Sequence, residues 1–312
     1  MYKSIVSVLT VLSMSLVAGC GDTGASGCVA GEQQACTCSG GGIGSQICRD
    51  DRTWGSCDCG SSEPCLAPAT AALLISELGI QPAEVEFIEI WNAGGAAVDL
   101  STFYLSDNAE YHRVTSGTDW VPPTTTPGSD FLARFPQGTT LAPNARLVVQ
   151  AASGDFDTQF ATCPDFSLGD DPITCKGVAV PKMIAPTSGD LGTLEGNLLS
   201  NSNEMVILFC WDGQSDTVTD VDYLTWGTAY DDTNRADKTG LPGYQPDTAR
   251  AAQTPAPPAD AFETIARCTA TETGETSAGG NGGTGHDETS EQLATTFKVQ
   301  TTATPGAASS CE

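Results

Sequence analysis

The chain has 312 residues, with 39 acidic and 13 basic side chains and a formal net charge of −26 at pH 7. A surface this acidic repels phosphate backbones, so the charge argues against nucleic-acid binding. The length suffices for one sizeable domain and a small module, and the abundance of Gly, Thr and Pro fits a loop-rich, all-β protein.

The amino terminus has the pattern of a bacterial export signal. Residues 5–16 form an apolar run that is too short to span a bilayer. The run ends in Leu-Val-Ala-Gly-Cys, which resembles a lipobox and implies acylation of Cys20. Several acyl chains anchor a protein stably, at about 0.8 kcal/mol per buried CH₂. The alternative is an ordinary signal peptide followed by a free cysteine.

We therefore expect a lipoprotein signal peptide at 1–19 and a flexible tether at 20–27. The residue after Cys20 is Gly21, where an Asp would indicate retention in the inner membrane. The sequence thus predicts a protein of the cell envelope, sorted to the outer membrane.

A cysteine-rich module follows at 28–65. Setting Cys20 aside leaves twelve cysteines, the even number that complete disulfide pairing in an oxidising compartment requires. The module has too few apolar residues for a core, so disulfides must hold it together. Its cysteines are Cys28, Cys36, Cys38, Cys48, Cys57, Cys59 and Cys65. A zinc site is the alternative, but the module contains no histidine and its spacings are not Cys-x₂-Cys.

The pairing within the module stays open, except that neighbours in a Cys-x-Cys pair are not expected to bond to each other, because that ring would be strained. Beyond the module, Cys163 and Cys175 enclose an acidic loop and predict a local disulfide. The remaining pairs are Cys268 with Cys311, which would tie down the last strand, and, by elimination, Cys65 with Cys210.

The stretch from 73 to 105 predicts three strands joined by turns. Its middle part is rich in β-branched and aromatic residues and is followed by Asn-Ala-Gly-Gly, a turn sequence. On a strand, Glu86 and Ile88 share one face, whereas Phe87 and Glu89 share the other. Both faces carry apolar bulk, which is typical of a strand inside a sandwich.

Three motifs in order, ISE, EFIEIWN and VDLSTFYLSD, resemble the opening of the lamin tail domain, an immunoglobulin-like β-sandwich. PQGTTLAP from Pro136 resembles the next hallmark of that family, and Thr-Pro-Gly-Ala from Thr304 resembles its ending. The resemblance implies an all-β, immunoglobulin-like sandwich over residues 66–312. Long insertions interrupt it near 151–197, 228–262 and 271–291. The last insertion is rich in Gly, Thr and Glu, and we predict that it is mobile.

Further strands are predicted within the sandwich. Residues 147–149 and 205–209 are apolar runs, and 218–227 alternates after an Asp-Gly hairpin signal. Residues 111–114 are predicted to form another short strand.

No catalytic residues are expected. The chain has two histidines, and His286 lies in the glycine-rich insertion. A catalytic triad in the predicted sandwich would therefore have to use His112, and no nucleophile-elbow sequence accompanies it. We predict a solvent-facing loop histidine. Glu86 and Glu89 fall on opposite faces of one strand, which argues against a glycosidase pair. The place of Glu89 in the family motif implies that it accepts hydrogen bonds from a neighbouring turn.

No cofactor is expected, although calcium is a serious chemical alternative. Asp231, Asp232, Asn234 and Asp237 crowd one polar loop, and closely spaced oxygen ligands can hold Ca²⁺. The loop lacks the glycine and terminal glutamate of an EF-hand, which favours a solvated acidic loop. The tryptophans are expected to pack rather than to form a sugar platform; they include Trp91, Trp120, Trp211 and Trp226.

The sequence therefore predicts a non-enzymatic lipoprotein whose sandwich is a binding or structural module at the bacterial cell envelope, facing the periplasm or the cell surface. Its partners would be the membrane, through the lipid anchor, and an envelope protein or a polysaccharide. Two alternatives stay open: a calcium-dependent adhesion module, and an accessory partner of a secreted nuclease or phosphatase.

Overall fold

The computed structural model describes most of the chain beyond residue 72 and parts of the cysteine-rich module. The described residues are 28–29, 31, 33–37, 43–49, 51–55, 57, 65, 73–116, 130–151, 154–169, 172–186, 198–232 and 234–311. The predicted signal peptide and tether lie outside this range, as do Cys20, Cys38, Cys59 and Trp120. Within the described residues, no helix has the length and apolar character needed to cross a membrane.

Strands dominate the described residues. They are β1 (Gln33–Thr37), β2 (Ile43–Ile47), β3 (Leu73–Gly79), β4 (Phe87–Asn92), β5 (Val98–Asp99), β6 (Phe103–Ser106), β7 (Leu132–Arg134), β8 (Thr140–Leu141), β9 (Arg146–Gln150), β10 (Phe166–Ser167), β11 (Thr174–Cys175), β12 (Val178–Ala179), β13 (Glu204–Cys210), β14 (Thr219–Trp226), β15 (Thr264–Arg267) and β16 (Phe297–Gln300). The short helices are α1 (Phe156–Phe160) and α2 (Leu293–Thr296), with 3₁₀ segments at Ala83–Val85, Tyr111–Ser116, Arg250–Ala252 and Glu288–Ser290.

One sheet has six strands in the order β10-β9-β4-β3-β15-β16. All neighbours are antiparallel except β10 and β9. Ile265 on β15 lies opposite Leu78 on β3, although a large part of the chain separates them. The segment after the 228–262 insertion therefore completes the sheet that the first sandwich strand begins.

The second sheet has four antiparallel strands in the order β14-β13-β6-β7. Apolar side chains from both sheets form one buried cluster between them. The six-stranded sheet contributes Ile75, Leu78, Ile88, Ile90, Leu147, Val149 and Ile265, and the four-stranded sheet contributes Phe103, Leu105, Ala133, Val206, Leu208, Val221 and Leu224. This packing confirms the all-β sandwich.

The outer face of the four-stranded sheet is also covered. Phe209 on β13 stacks on Tyr104, with ring centroids 5.1 Å apart, and lies 5.0 Å from Tyr111. Burial on both faces explains the continuous apolar run of β13.

The short strand predicted at 111–114 is wrong, because this segment is a 3₁₀ turn. In a 3₁₀ segment residues three apart share one face. Tyr111 and Val114 are therefore buried together against the sheet.

The outer face of the six-stranded sheet carries part of the 151–197 insertion. Phe87 on β4 packs edge-on against Phe156 and Phe160 of α1, with centroids 5.7 and 5.4 Å away. The apolar bulk on both faces of β4, expected from the sequence, thus has a partner on each side.

Five disulfides join described cysteines: Cys28–Cys48, Cys36–Cys57, Cys65–Cys210, Cys163–Cys175 and Cys268–Cys311. The last three are the pairs named from the sequence. The four module cysteines that are joined cannot act as thiolate ligands, which rules out the zinc alternative for them.

Two buried carboxylates hold the carboxy-terminal turn. Glu77 Oε2 accepts a hydrogen bond of 2.8 Å from Thr304 Oγ1, and Glu89 Oε2 accepts one of 2.6 Å from the Gly306 backbone N–H. The Thr-Pro-Gly-Ala ending thus docks on β3 and β4, and Glu89 bonds to a turn, as its place in the motif implied.

Candidate functional site

The 228–262 insertion is fixed to the sandwich by a buried lysine. The Lys238 Nζ lies 2.7 Å from Asp220 Oδ2, 2.9 Å from Asp247 Oδ2 and 2.7 Å from the Tyr111 hydroxyl. Burial alone lowers the pKa of Lys238, but the two carboxylates outweigh it and the pKa is raised. The ammonium therefore joins β14 to the insertion as a charged group.

A buried arginine holds the 271–291 insertion in a similar way. The Arg267 guanidinium on β15 lies 2.8 Å from Asp222 on β14 and 3.2 Å from Glu291. It also donates to the Ile75 carbonyl at 3.0 Å and covers the ring of Phe297 at 4.6 Å. One cation thus connects both sheets with the end of the insertion.

Residues 271–291, which were predicted to be mobile, form a folded loop in the structure. Thr276 forms an antiparallel bridge with Asp287, and the backbone N–H of Gly282 donates to the His286 carbonyl at 2.9 Å. The Asp287 side chain in turn accepts a hydrogen bond of 2.7 Å from Thr248 Oγ1. The glycines serve tight turns in a folded loop that packs on the sandwich.

This loop gathers Glu272, Glu275, His286 and Glu288, which we call the acidic pocket. The His286 Nδ1 lies 2.8 Å from Glu275 Oε2. Because Thr276 pairs with Asp287, Glu275 stands opposite Glu288 across the bridge. A cavity of about 60 Å³ adjoins the group; its walls are formed by Leu73, Leu74, Asp220, Val221, Glu272, Gly283, Thr284, His286 and Glu288.

The carboxylates of the acidic pocket are strongly perturbed. Burial raises the pKa of Glu275 to about 7, although hydrogen bonds with Glu272 and Glu288 lower it. Burial, reinforced by the charges of neighbouring carboxylates, raises the pKa of Glu272 to about 8. The same causes raise the pKa of Glu288 well above its ordinary value. A Cβ at Gly282 would collide with Glu288 Oε1, so glycine is needed for this carboxylate to lie against the loop backbone.

The calcium candidates named from the sequence do not come together. Asn234 Oδ1 accepts a hydrogen bond from the Asp231 backbone, and Asp237 Oδ1 accepts one from Thr239. Among the described residues, acidic and histidine ligand atoms within 4.8 Å of one another occur elsewhere, in Glu272–Glu275–His286 and in Asp222–Glu272–Glu291. The side chains of Asn234 and Asp237 thus each accept a hydrogen bond from a nearby backbone N–H.

The prediction that His112 faces solvent is wrong. Its ring lies between Tyr111 and Tyr244, with both centroids 5.9 Å away. Burial, and to a smaller extent the positive charge of Lys238, lowers the pKa of His112 to about 4. The 3₁₀ turn, which the sequence did not indicate, brings this side chain under the 228–262 insertion.

The other residues weighed for chemistry have structural roles. Glu86 directly precedes β4, and its Oε2 accepts hydrogen bonds of 3.0 and 3.2 Å from the backbone of Leu198 and Leu199. Trp211 and Trp226 are buried and donate to backbone carbonyls, each at 2.8 Å. The Glu86–Glu89 pair therefore forms no glycosidase site.

Sequence reasoning missed the acidic pocket. The available signal was the Glu-x-x-Glu spacing at 272–275 together with His-x-Glu at 286–288. Their glycine-rich surroundings favoured disorder, and only the bridge between Thr276 and Asp287 brings the two pairs face to face.

A family model described as Lamin Tail Domain matches residues 67–228, which is 162 of the 312 residues. The chain belongs to the lamin tail domain family. The lamin tail domain is immunoglobulin-like and non-catalytic, which agrees with the sandwich described above. β15, β16 and the acidic pocket lie beyond the matched residues, although β15 pairs with β3 of the lamin tail domain.

No curated protein matches this chain. A crystal structure of a DUF4876 family protein from Bacteroides thetaiotaomicron is similar to it, at 14% sequence identity and a TM-score of 0.37. The similarity covers 68% of this chain and 65% of that protein, so it spans slightly less than two thirds of the other protein's length.

Proposed function

We propose that the protein is a lipoprotein of the bacterial cell envelope, anchored through Cys20, in which the lamin tail domain is a non-enzymatic binding module. The disulfide between Cys65 and Cys210 carries the proposal. Such bonds persist outside the reducing cytoplasm. This one connects the end of the cysteine-rich module, which follows the tether, to the buried strand β13.

The absence of enzymatic activity is part of the same proposal. Among the described residues, the buried charged groups on β14 and β15 hold insertions to the sandwich: Asp220 binds Lys238, and Arg267 binds Glu291. His112 packs between tyrosines, and its Nδ1 is buried without a hydrogen-bond partner in the described part of the chain. This is how a scaffold presents rigid loops to a partner.

The 228–262 insertion supplies the best candidate contact residues. Tyr230, Leu241 and Phe262 are large apolar side chains that remain exposed. Aromatic and apolar anchors of this kind dominate the energetics of protein interfaces. We propose an envelope protein as the partner, with a polysaccharide as the other outcome of the test.

The test measures binding of the purified mature chain carrying Cys20→Ala to isolated cell envelopes. We expect saturable binding that weakens at least about tenfold in the Tyr230→Ser, Leu241→Ser, Phe262→Ser triple variant. Val178→Ser, which removes an exposed apolar side chain from another insertion, is the matched control and should bind like the parent.

Protease treatment of the envelopes should abolish binding if the partner is a protein, whereas glycosidase treatment should abolish it if the partner is a polysaccharide. Binding that never saturates, or a triple variant that binds as well as the parent, would contradict a binding role for this insertion.

A further inference from the structure

The acidic pocket combines ligand types that metal ions use. Glu272, Glu275 and His286 each offer one ligand atom, and these atoms all lie within 4.8 Å of one another. Glu288 lies beside them, and the cavity of about 60 Å³ gives room for a coordinated water. The bridge between Thr276 and Asp287 and the packing of the loop on the sandwich hold these groups in place.

A buried carboxylate oxygen in the pocket has no described hydrogen-bond donor other than neighbouring carboxyl groups. The Glu275 side chain is only 5% exposed, and its Oε1 is buried without a partner. Its Oε2 lies against His286, and its other close neighbours are the carboxyl groups of Glu272 and Glu288. Ionised carboxylates cannot donate to one another, so a proton or a cation must lie between them.

Of the described cations, Arg267 acts on the pocket, because its charge favours the ionised form of Glu272. The nearest buried guanidinium, that of Arg267, already pairs with Asp222 and Glu291. Protons are therefore shared among the three carboxyl groups of the pocket, and a divalent cation could displace them. A bound divalent cation would offset the charge of the ionised carboxylates, and an unpaired buried charge is costly.

We propose that the acidic pocket binds one divalent transition-metal ion, of the Zn²⁺ or Mn²⁺ type, through Glu272, Glu275 and His286. The imidazole distinguishes this site from one for Ca²⁺ or Mg²⁺, which prefer oxygen ligands throughout. The ion lies between His286 Nδ1 and Glu275, in place of a proton. Glu288 supplies an additional carboxylate beside it. The site goes beyond the binding role proposed above and does not depend on the lipid anchor.

The ion would also have a structural consequence. Glu272 and Glu275 come from the first half of the loop, whereas His286 and Glu288 come from the second half. A shared ion therefore closes the loop on the sandwich, and binding to the folded state raises its stability.

Calorimetric titration of the mature Cys20→Ala chain, with its disulfides intact and metal first removed by EDTA, tests the proposal. Zn²⁺, Mn²⁺ and Ca²⁺ are each added alone. We expect one Zn²⁺ or Mn²⁺ per chain and a rise in the melting temperature. Glu275→Gln and His286→Gln should each weaken binding at least about 100-fold, since even groups behind the ligands contribute 10–100-fold. Asp237→Asn, in a separate acidic loop, is the matched control and should bind like the parent.

The melting temperatures of parent and variant show whether a variant loses metal binding because it fails to fold. In EDTA, Glu275→Gln should melt at a higher temperature than the parent, because the amide can donate hydrogen bonds to the neighbouring carboxyl groups. When Zn²⁺ or Mn²⁺ is present, the melting temperature of the parent should rise, whereas that of Glu275→Gln should not. The proposal is overturned if neither Zn²⁺ nor Mn²⁺ binds with one-to-one stoichiometry up to millimolar concentration. It is also overturned if Ca²⁺ alone binds, or if Glu275→Gln and His286→Gln bind like the parent.

Discussion

Replacing Arg267 by methionine is expected to destabilise the protein by about 3–5 kcal/mol, the cost of breaking a buried ion pair by removing one partner. The methionine fills similar space, but Asp222 and Glu291 then remain buried without the guanidinium that lies 2.8 and 3.2 Å from them. The loss also affects β3, since Arg267 donates to the Ile75 carbonyl. Urea unfolding followed by tryptophan fluorescence, in EDTA, measures the change.

Arg113→Met is the matched control for the loss of an arginine. Arg113 pairs with Glu110 at 2.9 Å, but the two side chains are 48% and 45% exposed. An exposed pair of this kind contributes about 0–1 kcal/mol. The double variant Arg267→Met, Asp222→Asn should recover part of the lost stability, because it removes one of the two carboxylates that Arg267→Met leaves buried without a partner. If Arg267→Met were as stable as Arg113→Met, Arg267 would not connect the sheets as described.

Removing the Cys65–Cys210 disulfide is expected to have a similarly large effect. The two cysteines are separated by 145 residues, and the chain-entropy relation then gives about 5 kcal/mol for the constraint on the unfolded chain. Cys210 is buried in β13, so alanine replaces it without introducing a polar group. The Cys65→Ala, Cys210→Ala double variant should therefore unfold at a much lower urea concentration than the parent.

The Cys163→Ala, Cys175→Ala variant is the matched control, because it removes a disulfide that spans only 12 residues. The same relation gives about 3 kcal/mol for that loop. The expected order is therefore a larger loss for the long loop than for the short one. An equal or reversed order would show that Cys65 does not constrain the sandwich through β13.

The sandwich strands could be predicted because burial on two faces leaves a clear pattern in the sequence. β13 is a nearly continuous apolar run, and β4 carries apolar side chains on both faces, since each packs against the core on one face and against an insertion or turn on the other. The 3₁₀ segment Tyr111–Ser116 was misread because four residues with apolar ends fit a short strand as well as a 3₁₀ turn.

The candidate site could not be predicted, because its contacts are long-range. Arg267 and Asp222 are 45 residues apart, and neither residue alone indicates the other as its partner. The carboxylates of the acidic pocket were visible only as polar residues in a glycine-rich stretch, where composition favours disorder. The backbone bridge between Thr276 and Asp287 folds this stretch into a loop, and no local pattern in the sequence predicts that bridge.

The proposed lipid anchor on Cys20 would connect the whole molecule to its proposed place in the cell. The most direct measurement is the intact mass of the amino-terminal peptide released from membrane-extracted protein. We predict a mature chain that begins at Cys20 and carries a diacylglyceryl thioether and an N-acyl group, both absent when Cys20→Ala is expressed. An unmodified amino terminus on protein recovered from the soluble fraction would contradict it.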